Sequence, residues 1–106
     1  MTIASIITAG KGRSHGWEVR EYPSTDEGTE LALVHFGTRL LVWQRITKEI
    51  LYKNIGWGSV SDANGINTAF LILDAPYWFL RDRKGGGPRF IERKMTASYV
   101  PVRGRI

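Results

Sequence analysis

The sequence predicts an α+β domain, with an antiparallel sheet of about five or six strands packed against one α-helix. Three observations carry that prediction. Short apolar segments of strand length recur between glycine-containing turns. A single stretch, after Ser61, spaces its apolar residues at a helical period. The chain has 106 residues, 42% of them hydrophobic, which suffices for one core and excludes two domains.

The elements follow in order. Ile3 to Thr8 is rich in β-branched residues and reads as a strand, and Gly10 to Gly16 reads as a loop. Trp17 to Tyr22 alternates in polarity as a half-buried strand, and the turn-forming run Pro23 to Gly28 ends it. Glu30 to Phe36 and Arg39 to Arg45 make a hairpin through Gly37-Thr38. Leu31, Leu33 and His35 take one face of the first strand and Ala32, Val34 and Phe36 the other, so this strand belongs where both faces are covered. Glu49 to Lys53 is a further short strand. The helix starts near Ser61 or Asp62, whose side chains suit a helix N-terminus, and ends at about Asp74 ahead of Pro76. Ile66, Ala69, Phe70 and Leu73 form its apolar stripe, while Gly65 weakens it by roughly 1 kcal/mol relative to Ala. Tyr77 to Arg83 and Pro88 to Lys94 form a last hairpin across Lys84-Gly85-Gly86-Gly87. Residues 1–94 therefore read as the domain, with 77–94 as its basic hairpin and 95–106 as a basic tail or irregular edge.

Charge divides the chain unevenly. Fifteen Lys and Arg stand against ten Asp and Glu, a formal net charge of +5. Residues 1–80 are close to neutral, whereas residues 81–106 hold Arg81, Arg83, Lys84, Arg89, Arg93, Lys94, Arg103 and Arg105 against only Asp82 and Glu92. Such an asymmetry points to a polyanionic partner or an acidic surface.

Catalytic chemistry finds no foothold. The absence of cysteine removes disulfides, thiolate metal sites and cysteine nucleophiles together. His15 and His35 lie on different elements without a ligand partner at metal-binding spacing, and the carboxylates are spread over strand edges and turns. Gly10-Lys11-Gly12-Arg13-Ser14 lacks the spacing of a phosphate loop, and Ser14-His15 lacks an orienting acid. No enzyme activity, cofactor or metal is expected. The longest apolar run, Ala69 to Leu73, is far short of the ~18–20 residues of a membrane span, and the N-terminus lacks the basic region of a secretory signal. A cytosolic protein without membrane attachment is the expectation.

Val34-His35-Phe36-Gly37-Thr38, Gly56-Trp57-Gly58-Ser59-Val60-Ser61-Asp62 and Gly65-Ile66-Asn67 together carry a resemblance. Over residues 31–82 the chain resembles a small domain that recurs in tailed-bacteriophage genomes. That domain has an aromatic-x-Thr strand turn, a Gly-Trp/Tyr-x-Ser-x-Thr/Ser segment and an Ile-Asn pair on the following helix. The chain departs from the pattern at Asp62 and Ala63. The resemblance implies a phage origin, hence a host bacterial cytoplasm, and carries over no catalytic residues. From the residues themselves, Gly56 and Gly58 allow a sharp turn beside Trp57, whose ring covers the end of the core, and Ser59 and Ser61 cap the helix entry.

Binding without catalysis is the function these features favour. A two-stranded ribbon places Arg81 and Arg83 on one face, with Arg89 and Arg93 on the same face across the turn, and arginine forks of this kind suit phosphates. Nucleic acid held non-specifically by the eight basic residues is the leading expectation. Tyr77, Phe79 and Phe90 are core candidates that would stack on bases only if exposed. The helix carries no Lys or Arg, which argues against a helix-turn-helix reader. The alternative is an inhibitor or adaptor that binds a host or viral protein through its Trp and Tyr side chains, or a small virion structural protein. An exposed edge strand would also allow pairing with a second copy.

Overall fold

The computed structural model describes residues 2–23, 28–82 and 85–93. The fold is α+β. Five strands form one antiparallel meander in the order β1 (Gly12–Ser14), β2 (Trp17–Tyr22), β3 (Glu30–His35), β4 (Thr38–Gln44) and β5 (Ile50–Lys53). A separate two-stranded hairpin comprises β6 (Tyr77–Asp82) and β7 (Gly87–Glu92). Among the described residues there are two helices, α1 (Ile3–Ala9) and α2 (Val60–Ile72).

The first element corrects the strand expected over Ile3 to Thr8. Thr2 accepts a hydrogen bond from the Ser5 N–H while the Ser5 hydroxyl accepts one from the Thr2 N–H, a reciprocal cap that starts a helix. Ile3, Ile6 and Ile7 then share one stripe, with Ile6 and Ile7 buried in the core. Gly10 stops the helix at φ 76, where its N–H reaches the carbonyls of Ile6 and Ile7. The expected loop over 10–16 contains β1, which pairs Ser14 with Trp17 and Gly12 with Val19.

β3 is the central strand, as its two apolar faces require. Leu31 and Leu33 point into the main core with Trp17, Val19, Leu41 and Trp43, and Ala32, Val34 and Val42 form a second small buried cluster on the other face. Its register with β4 shifts between Leu33 and Val34, so that Leu40 and Leu41 both reach the main core. The β3–β4 turn uses Phe36 and Gly37, both at positive φ (46° and 83°), as a type I′ turn requires.

The helix stripe is as read: Ile66, Ala69, Phe70 and Leu73 are buried, joined by Ala63. Its limits shift slightly. Ser59 is the N-cap, its side chain accepting from the Asp62 N–H, and Leu73 is the C-cap. Gly65 has a packing reason to be glycine, since a Cβ there would collide with the Trp17 ring. The hairpin does not extend the five-stranded sheet but seats on α2. Phe79 enters the core, Tyr77 and Phe90 pack around Phe70, and the Asn67 amide bridges the backbone of Phe79, donating to its carbonyl at 3.0 Å and accepting from its N–H at 2.8 Å. Among the described residues no helix is long and apolar enough to cross a membrane.

Candidate functional site

Asp62 is the hinge of one end of the molecule. It lies in the first turn of α2, 2% exposed, and divides its carboxylate between two elements. One oxygen, Oδ1, is 2.6 Å from His35 Nδ1 at the end of β3. The other, Oδ2, accepts the Trp57 N–H at 2.9 Å. Burial alone would push the carboxyl up, but hydrogen bonds from His35, the Trp57 N–H and Ser59 outweigh it and hold the group below the usual carboxylate range. The ionised carboxylate is an acceptor only, so His35 places a proton on Nδ1 and donates it.

His35 is 9% exposed and sits within a column of rings. Trp17 stacks flat on one side, with centroids 3.9 Å apart and planes 7° apart, and Phe36 lies 4.6 Å away, tilted. Gly65 admits the inner end of this column against α2. Gly16 admits the outer end, because a Cβ there would meet the Phe36 ring at 2.5 Å. The β1–β2 and β3–β4 turns are tied to each other by the Phe36 N–H donating to the Gly16 carbonyl at 2.8 Å.

Two aromatics emerge from this mount. Trp57 is 90% exposed and Phe36 78%, the most exposed aromatic side chains among the described residues. The first corrects the expectation that Trp57 covers the core. Its backbone is held by Asp62 and its loop by Gly58, leaving the ring outside. Phe36 and Trp57 are joined through His35 and Asp62 by two hydrogen bonds and the width of one carboxylate. The exposed Val60 follows on the first turn of α2.

The basic residues fall into three groups. Arg81 Nε donates to the Gly58 carbonyl at 2.8 Å, which puts its guanidinium against the loop that carries Trp57. Pro88, opposite Arg81 in the hairpin, packs over the same glycine, where a Cβ would come within 2.8 Å. Arg93 is committed to the fold: its Nε and Nη2 both donate to the Ala75 carbonyl, at 3.2 and 2.7 Å. Arg89 faces Asp82 at 3.4 Å and also donates to the Gly87 carbonyl. Arg83, Lys84, Lys94, Arg103 and Arg105 lie outside the described residues, as does the tail 95–106.

The shared face expected for Arg81 and Arg89 is corrected by the register. Leu80 is opposite Arg89, and Arg81 is opposite Pro88, so the two arginines take opposite faces of the hairpin. The stacking candidates also change places. Phe79 is buried and Tyr77 and Phe90 are packed against the core, while Trp57 and Phe36 are exposed.

Asp62 and the pairing across to His35 escaped the sequence, which offered Asp62 only as a helix-entry residue. The two lie 27 positions apart, and no local spacing reveals the bond. Exposure of Phe36 had a signal in the turn composition, because the residue before Gly37 in a tight hairpin points outward. Among the described residues no three His, Asp or Glu side chains are grouped to hold a metal ion. The chain matches no family model, no curated protein and no solved structure.

Proposed function

We propose that the protein is a small non-catalytic binding protein of phage type whose ligand is nucleic acid, held mainly through phosphate contacts with little sequence preference. The observation that carries this reading is the charge distribution. A nearly neutral body adjoins a terminal quarter with eight basic residues against two acidic ones, and Arg81 joins that quarter to the exposed aromatic end at Gly58. The candidate contact set is revised accordingly. Arg81 and Arg89 lie on the hairpin strands and Arg83 and Lys84 stay in the proposed set by sequence, whereas Arg93 is engaged by the Ala75 carbonyl. A phage origin rests on the motif resemblance alone.

The exposed Trp57 favours one competing reading, a protein partner anchored by that indole. Salt separates the two. For a nucleic-acid ligand the logarithm of affinity falls linearly with the logarithm of salt, by about 0.7–0.9 per phosphate neutralised. Titration of a labelled oligonucleotide between low and moderate salt should show a steep slope, and the double variant Arg83→Glu, Arg89→Glu should flatten it and weaken binding. Affinity that is absent, or indifferent to salt, overturns the proposal.

A further inference from the structure

We infer that the aromatic end selects single strands, with Trp57 and Phe36 stacking on unpaired bases beside the Arg81 guanidinium, which attracts the phosphates; this rests on the nucleic-acid reading above and names its substrate class. Bases within a duplex have their faces occupied by their neighbours. Only an unpaired base can lay a face on an indole or phenyl ring, and such stacking tolerates any sequence because every base has a π-face.

Three features of the site support the assignment. First, both rings are held out from a rigid mount. The Trp57 backbone is fixed through its N–H to the buried Asp62, and the Phe36 ring rests on His35 and Gly16, so the loop and turn that present the two rings are ordered before a ligand arrives. Second, Phe36 sits at φ 46 at a turn position where Asn would adopt the same backbone with less strain. One face of the ring rests on His35 and Gly16, and the rest of this bulky side chain, 78% exposed, is presented outside the fold. Third, the charge is complementary to a polyanion. Arg81 lies against the Trp57 loop, and two nearby carboxylates are engaged internally, Asp62 by His35 and the Trp57 N–H, and Asp82 by Arg89 and the Gly85 N–H.

The test is fluorescence anisotropy of the full chain with a fluorescein-labelled 15-mer oligothymidylate and with a duplex of the same length, at one fixed salt concentration. The single strand should bind at least about tenfold tighter than the duplex. Trp57→Ala and Phe36→Asn should each weaken single-strand binding by about tenfold, with the salt slope unchanged because no phosphate contact is removed. Circular dichroism melts guard against a folding artefact: Trp57→Ala should melt with the wild type and Phe36→Asn at or above it. Equal affinity for both probes, unmoved by either substitution, overturns the stacking inference while the nucleic-acid reading stands. Binding of neither probe overturns both. Loss on Trp57→Ala of a protein partner that survives nuclease, with oligonucleotide binding intact, assigns the aromatics to that partner and overturns the inference.

Discussion

Asp62 is the residue on which the aromatic end depends. Replacing it by Asn keeps the volume but removes the charge that receives both His35 and the Trp57 N–H. Hydrogen bonds to a charged group contribute about 1.5–3 kcal/mol each, and the loss on Asp62→Asn should be of that order in urea denaturation at neutral pH. Its pH dependence has a definite sign. The folded carboxyl titrates below its unfolded value, so its contribution is fully present above the ordinary carboxylate pKa of about 4 and is lost as pH falls through the lower folded value. The gap between wild type and Asp62→Asn should therefore hold from pH 7 to about pH 5 and narrow in more acidic solution. A gap that widens on acidification would show that the carboxyl is not the stabilising group.

At the scale of elements, the apolar stripe of α2 was legible because Ile66, Ala69, Phe70 and Leu73 repeat at its period. The strands from β2 to β7 were legible to within a residue or two for the matching reason. α1 was not, since three isoleucines in seven residues favour a strand by composition, and what decides the matter is a local cap at Thr2 and Ser5 and a surface of α2 to pack on. Gly65 illustrates the same limit. Helix propensity alone makes Gly65→Ala stabilising by roughly 1 kcal/mol. The ring of Trp17 occupies the space the methyl would need, and overpacking of this kind costs about 1–3 kcal/mol. Thermal melts should accordingly show Gly65→Ala less stable than wild type, and pairing it with Trp17→Leu should recover part of the helix gain. A simple rise in Tm for the single variant would mean the contact yields easily.

For the molecule as a whole, charge placement was visible in the sequence but its presentation was not. Strand alternation suggested a basic ribbon with Arg81 and Arg89 side by side; the actual register separates them, and Arg93 is spent on the Ala75 carbonyl. In its place the fold gathers Phe36, Trp57 and Arg81 from three stretches of sequence around the buried pair of His35 and Asp62. None of these contacts has a local signature, which is why the candidate surface moved from the middle of the hairpin to the end where the hairpin meets α2. The measurement that bears most directly on a nucleic-acid ligand is affinity capture of the tagged full chain from a bacterial lysate, with and without nuclease. Nucleic acid should co-purify without nuclease, and the protein species captured with it should be released when it is digested. Retention of a stoichiometric protein partner after complete digestion, with no nucleic acid bound beforehand, would contradict it.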